Sequence, residues 1–338
     1  MEIIGWDIGG AHIKASKINF VKKKTLTKQL FCPIWINIDN LNKSILKIKK
    51  KLGGCDYHAI TMTAELADIF KNRNEGTKKI INILCKAIPE KKIFFYSNLK
   101  TFLKKKEALK KTDAINSMNW HATASLISNF YPNCILVDMG SSTTDIIPIK
   151  KKRIIAKGNN DYKRLVYREL IYFGVIRTPI TAIEKNKNLI YENFANLGDI
   201  YRVLNKLPKK IDLTPSQDNK SKSKNDSARR IARVFGKDYK KKDFNTWKKL
   251  ALKIENKQKK ILKENINKIR KRNFSGSVPI IGAGIGEFLI REIYNKNNYF
   301  SFDSKLKNIK KTNVINCEAA ISVALLLNSF LKSKRSKF

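Results

Sequence analysis

The chain has 338 residues, 42% of them hydrophobic, and a formal net charge of +42. That length suggests about two domains, the apolar share excludes a wholly disordered chain, and no apolar run reaches the roughly 18 residues of a membrane span. The charge does not make a specific nucleic-acid binder: 57 of the 70 basic residues are Lys, spread along the whole chain, and aromatic residues are not interleaved with them as stacking platforms. With 33 Asn alongside, the lysines read as compositional bias. Cys32, Cys55, Cys85, Cys134 and Cys317 are scattered with no CxxC pair, which excludes a zinc ribbon or a disulfide scaffold. The opening MEIIGWDIGG does not read as a signal segment, so a reduced, cytoplasmic setting is expected.

Residues 2–8 are expected to form a buried strand, Gly9 and Gly10 a tight turn, and residues 12–20 a returning strand. Helical periodicity follows over 39–51, a strand over 57–63, a helix over 75–88, a strand over 92–96 and a helix over 122–130. Residues 134–138 form a second buried strand that turns at Gly140 and returns to Pro148. Both hairpins place an Asp at the end of an apolar strand, then Gly and small residues. This internal repeat suggests two related halves. The stretch 205–226, rich in Lys, Ser, Asn and Asp, is expected to be an exposed loop. Residues 243–272 read as one amphipathic helix, 278–281 as a strand entering Gly282-Ala283-Gly284-Ile285-Gly286, and 317–330 as an apolar helix. The basic tail 332–338 is expected to fray.

Three turns invite chemistry. In Asp7-Ile8-Gly9-Gly10-Ala11-His12-Ile13-Lys14, glycines let backbone N–H groups approach phosphate oxygens. Asp7 could hold hydrated Mg²⁺, and Lys14 could neutralise phosphate charge. In Asp138-Met139-Gly140-Ser141-Ser142-Thr143-Thr144-Asp145, the four hydroxyl residues add side-chain donors, and Asp138 is the matching metal ligand. Gly282, Ala283 and Gly284 could floor a nucleoside or another flat ring. An ordinary hairpin turn explains any one of these alone; the repeat favours phosphate binding.

The turns resemble the actin-like ATPase superfamily of sugar kinases, Hsp70 and actin. The resemblance implies an α/β fold of two ribonuclease-H-like domains with the ligand in an interdomain cleft. Here the domains would be 1–130 and 131–331. The linking segments TMTAELADIFKNRNEG, NWHATA, VDMGSSTTDIIPI, LVYRELIYFGVIRTPI and DSARRIARVFG resemble the hydantoinase/oxoprolinase-related branch, in particular its proteins linked to tetrahydromethanopterin-dependent C1 transfer and methanofuran biosynthesis. That closer resemblance implies a transferase joining an aminomethylfuran diphosphate to the phenol oxygen of a glutamyl-tyramine or tyrosine compound, with pyrophosphate released. Mg²⁺ is the implied cofactor; ATP is compatible with the fold but not required. Partners would be the diphosphate and phenolic small molecules, with no membrane. Oligomeric state is not legible.

The phenol needs a base, since its ordinary pKa is near 10. Glu65, at a strand end facing the cleft in the superfamily layout, is the leading candidate, with Asp68, His12 and His121 as others. Arg73 and Arg177 could clamp the diphosphate or a carboxylate. Arg229, Arg230 and Arg233 read as pairing on a helix face, and Cys317 as packing. Ala11-His12 departs from the Thr that many kinases carry there. Two alternatives stay open: an ATP-dependent small-molecule kinase of the same fold, and a non-catalytic nucleotide-binding protein.

Overall fold

The computed structural model describes residues 1–99, 101–185, 188–294, 298–306, 310–312 and 317–335. They divide into two compact units, one made of Met1–Pro132, Lys151–Ile154 and Phe302–Phe338, the other of Asn133–Lys150 and Ile155–Ser301. The expected second domain, 131–331, is therefore corrected: from Phe302 onward the chain belongs to the first unit. The reason lies in α10 (Glu318–Arg335), which packs on β1 (Glu2–Ile8), β2 (His12–Asn19), β4 (Tyr57–Met62) and α4 (Asn119–Ile127). A Cβ at position 5 would sit 1.8 Å from the Ala320 carbonyl oxygen, so glycine is what lets α10 lie against the central strand.

In the first unit the sheet order is β13-β3-β2-β1-β4-β5-β6, with β3 at Lys24–Phe31, β5 at Ile93–Tyr96, β6 at Phe102–Leu103 and β13 at Lys310–Thr312. β1, β2 and β3 pair antiparallel, while β1, β4 and β5 run parallel. Period-2 alternation divides the residues of β1. Ile4, Trp6 and Ile8 join a core with Leu41, Ile45 and Ile48 of α1 (Asp39–Leu52) and Ile80, Ile81 and Leu84 of α2 (Arg73–Ala87); Gly5 lies under α10. α3 (Lys105–Lys110) packs against α2. Trp6 Nε1 donates to His58 Nδ1 at 3.0 Å, and burial drives the His58 pKa from 6.5 down to about 3, so this imidazole is neutral and structural. Strand β3 was not read from the sequence, because its buried positions are Thr25 and Thr27 rather than aliphatic residues.

The second unit repeats the plan. Its sheet runs β10-β8-β7-β11-β12, with β7 at Cys134–Met139, β8 at Thr144–Lys150, β10 at Leu170–Ile171, β11 at Ile280–Ala283 and β12 at Tyr299–Ser301. (The two-residue strand β9, Arg153–Ile154, counts with the first unit.) β7, β8 and β10 pair antiparallel, and β7, β11 and β12 run parallel. Both sheets thus follow the order 3-2-1-4-5 of a ribonuclease-H-type unit. The core joins this sheet to α6 (Leu197–Val203), α7 (Lys224–Val234), α8 (Phe244–Asn273) and α9 (Glu287–Ile293). α8 buries Trp247, Ile254, Leu262, Ile266 and Ile269 as its periodicity requires.

Three further expectations change. The stretch 205–226 is not simply exposed: α7 starts at Lys224 behind the Ser223 cap, Ser216 is buried, and Arg202 grips Asp212 at 2.7 and 2.8 Å. Arg230 pairs from α7 as expected, but in the interior. It is 1% exposed and binds Asp199 at 2.8 Å and Asp218 at 3.0 Å, because a buried guanidinium needs carboxylate partners. Arg229 pairs with Asp226 at 2.8 Å as expected, and Arg233 is exposed. The tail is helical through Arg335; residues 336–338 lie outside the described residues. No helix among the described residues is long and apolar enough to cross a membrane.

Candidate functional site

In each unit the turn after the central strand lies at that strand's carboxyl end, where open α/β sheets bind ligands. At the first turn the Gly9 N–H donates to the His12 carbonyl at 3.0 Å, closing a four-residue bend. Cys32 and Ile34 donate to the Ala11 and Gly10 carbonyls at 2.9 and 3.1 Å, which fixes the outer side of the turn. Asp7 and Lys14 are direct partners across the hairpin, with Lys14 Nζ 3.8 Å from Asp7 Oδ2. Asp7 is 6% exposed, and among the described residues its Oδ1 has no hydrogen-bond partner. Burial raises its pKa, and Lys14 offsets part of the rise. A buried carboxylate with an idle oxygen fits a cation ligand better than a completed ion pair. No group of three or more His, Cys, Asp or Glu able to hold a metal occurs among the described residues.

Beside this turn, Thr63 N–H donates to the Ile8 carbonyl at 2.9 Å, which brings Thr63-Ala64-Glu65 alongside β1. Glu65 is 1% exposed, and Ser117 Oγ donates to its Oε1 at 2.7 Å. Ser117 has φ 51°, a left-handed conformation unfavourable for serine and typical of positions held for a purpose. Next to it Thr77 Oγ1 lies between the Asn116 side-chain amide and the Arg73 carbonyl, donating to the latter at 2.8 Å. Arg73, the first residue of α2, and Glu65 thus share one corner. Ser117 was not anticipated; nothing in NSMNW signals that this Ser holds a carboxylate 52 residues away.

His12 is buried edge-on against Phe31, with centroids 5.6 Å apart. His121 Nδ1 is 2.9 Å from Tyr96 Oη inside the fold, so its candidacy as a base is withdrawn in favour of a core role. Asp68 is exposed three residues beyond Glu65. Cys317 is buried and its thiol is pushed far up in pKa by that burial, as packing requires.

The second turn repeats the bend: Gly140 N–H donates to the Thr143 carbonyl at 2.9 Å. Asp138 is half-buried and faces Asp145 across the hairpin. Arg164, 2% exposed, binds Asp145 at 2.8 Å. Ser141, Ser142 and Thr143 are half-buried, and no carbonyl among the described residues accepts their N–H groups. Thr144 is a correction. It is fully buried in β8, and its Oγ1 donates to the Phe173 carbonyl at 2.8 Å, so its hydroxyl serves the fold and not a ligand. Arg177, by contrast, is brought to the turn: its N–H donates to the Ser141 carbonyl at 2.9 Å.

The third turn supports the second. Ala283 is the register partner of Asp138, and Gly286 N–H donates to the Met139 carbonyl at 2.8 Å. Gly284 has φ +82°, and a Cβ there would meet the Met139 carbonyl oxygen and Asp138 Oδ1 within 2.5 Å. Glycine at 284 is what lets this backbone approach the carboxylate. The ring floor expected at Gly282 is corrected: the chain's own Tyr299 ring already covers that glycine, with Tyr299 Oη donating to Glu287 Oε1 at 2.6 Å.

Two ribonuclease-H-like units, each bearing an Asp-Gly hairpin at the end of its central strand, define the actin-like and sugar-kinase-like class of fold. The chain is similar in fold to acetone carboxylase, solved without nucleotide, with a TM-score of 0.60 over 95% of this chain and 70% of that one, at 10% identity. Residues 56–305 match the hydantoinase/oxoprolinase family, and the chain belongs to it. It is 34% identical over 88% of its length to the (4-{4-[2-(γ-L-glutamylamino)ethyl]phenoxymethyl}furan-2-yl)methanamine synthase of Methanocaldococcus jannaschii, covering 90% of that protein. It is 31% identical over 62% of its length to the synthase of the same name from Methanococcus vannielii, covering 97% of it.

Proposed function

We propose that this protein is a transferase of methanofuran-type cofactor biosynthesis that forms a furanylmethyl aryl ether. The observation that carries the reading is the 34% identity to the M. jannaschii synthase, which runs through nearly all of both chains. The product in that relative's name contains an aryl ether between a phenol and a furanylmethyl carbon. Such a bond forms when the phenol oxygen attacks that carbon, the C–O bond to a leaving group breaks, and the electron pair departs with the leaving group. Turns that offer N–H groups, hydroxyls and arginine suit a diphosphate as that group.

In this reading Ser141, Ser142 and Thr143, with Gly140 shaping the bend and Arg177 at its edge, hold diphosphate oxygens and stabilise the charge that builds as pyrophosphate leaves. Gly9 and Gly10 allow close approach at the first turn. Asp7 in the first unit and Asp138 in the second are each carboxylates that would ligate Mg²⁺, which, when bound, neutralises phosphate charge. Lys14 balances the Asp7 charge. Glu65, oriented by Ser117, takes the phenol proton, and Arg73 in the same corner suits an anionic group on the phenolic partner. No γ-phosphate transfer is required. Purified protein incubated with aminomethylfuran diphosphate, γ-glutamyltyramine and Mg²⁺ should yield the ether and pyrophosphate. Consumption of ATP with phosphorylation of an alcohol instead would favour the kinase reading.

A further inference from the structure

The segment Leu170 to Thr178 wraps the second turn. Ile171 pairs with Thr144 across the sheet edge, and the Phe173 carbonyl accepts from Thr144 Oγ1 at 2.8 Å. Val175 N–H donates to the Gly140 carbonyl at 3.1 Å, and Ile176 and Arg177 N–H donate to the Ser141 carbonyl at 3.1 and 2.9 Å. The strap is anchored from inside, since Phe173, Val175 and Ile176 are all buried. Two of its side chains break this pattern. Arg177 is exposed, and so is Tyr172, a large aromatic ring left 63% exposed. Tyr172 follows Ile171 and so falls at the level of Thr143 in the turn. The two side chains are also within electrostatic reach of each other. Leaving a large aromatic ring this exposed at the level of the turn forgoes burial of its apolar face. A ligand with a charged end and a flat, apolar body would recover it.

We infer that Tyr172 is a specificity-determining residue whose ring packs on the ring of a substrate whose diphosphate lies in the Gly140–Thr143 turn. This rests on the proposed function and adds the residue that would tell a ring-bearing diphosphate from a plain alkyl one. The furan is the ring addressed, because only one methylene separates it from the diphosphate oxygen. Offset ring packing contributes about 1 kcal/mol. When the C–O bond breaks and its electron pair leaves with pyrophosphate, positive charge spreads from the methylene into the furan, and an aromatic face beside it is favourable.

The test uses two non-leaving probes, furfuryl methylenediphosphonate and methyl methylenediphosphonate, titrated into the full-length protein with Mg²⁺. The wild type should prefer the furfuryl probe by about fivefold. Tyr172→Ala should bring the preference close to one while leaving affinity for the methyl probe unchanged, and Tyr172→Phe should restore most of it. Arg177→Ala should weaken both probes alike. Equal loss of both probes in Tyr172→Ala, with its melting curve intact, would overturn the ring contact, as would an undiminished preference. Ether synthesis is scored separately. A Tyr172-dependent preference in a protein that makes no ether would retain the ring site and reject the reaction; ether synthesis without the preference would do the reverse.

Discussion

At the first turn a buried carboxylate, Asp7, has a lysine across the hairpin 3.8 Å away. At the second, Asp138 is half-buried and has another carboxylate, Asp145, across from it, whose charge is met by the buried Arg164 at 2.8 Å. The backbone frames are the same, down to the glycine N–H that closes each bend. The side chains then divide the work. The first turn is lined by Gly10, Ala11 and His12 and lies next to Glu65; the second offers Ser141, Ser142 and Thr143 and lies next to Arg177. The difference teaches that a duplicated backbone sets the frame of the turn, while the residues hung on it set what it can offer: a carboxylate and a lysine at the first, hydroxyls and backbone N–H groups at the second.

The largest effect expected from breaking this comparison is on turnover. Asp7→Asn and Asp138→Asn should each lower the rate of pyrophosphate release by at least about a thousandfold, the scale of losing an electrostatic stabiliser. The same pair should diverge in stability. The Asp7 pKa is raised by burial above the ordinary 3.8, so its contribution to stability is fully present below that value and is lost as pH rises through the folded-state pKa. Asp7→Asn should therefore raise the melting temperature of the ligand-free protein at neutral pH, with the gain fading in acid. A fall in melting temperature at pH 7 would contradict that account of Asp7.

Next in size is the buried pair behind the second turn. Arg164→Met strands Asp145 and should destabilise the protein by about 3–5 kcal/mol in denaturant titrations. The lysine across the first turn is more loosely paired, at 3.8 Å, and Lys14→Met should cost less stability than Arg164→Met while reducing activity. Smaller again, Ser141→Ala should weaken pyrophosphate inhibition about tenfold with stability unchanged. Thr144→Val, by removing the bond to Phe173, should cost about 1 kcal/mol of stability and leave inhibition nearly intact. The reverse pattern would return Thr144 to the ligand. Apart from the turns, an acid slope is expected: His58 is held near pKa 3 instead of 6.5, so its stabilisation is present above pH 6.5 and lost as pH falls toward 3. His58→Gln should show a shallower loss over that range.

Much of the frame was legible because strand and turn signals are local. Apolar residues 2–8 and 134–138 end in Asp, glycine follows, and the repeat suggested two related halves. The closing helix was legible as a helix but not as part of the first unit, since its docking on Gly5 joins residues more than 300 positions apart. What a side chain does was harder to read. Four consecutive hydroxyl residues look alike in sequence, yet strand alternation turns Thr144 inward. Gly282 resembles an open floor until Tyr299 folds over it. Tyr172 and Ser117 carry no motif of their own, and their positions follow only once the strap and the Glu65 corner have formed.

The central claim is tested most directly by mass spectrometry of the purified protein with aminomethylfuran diphosphate, γ-glutamyltyramine and Mg²⁺, with pyrophosphate counted in parallel. The account predicts the aryl ether and one pyrophosphate per ether formed, without ATP. Substrates recovered intact, or an ether that appears only as ATP is consumed, would contradict it.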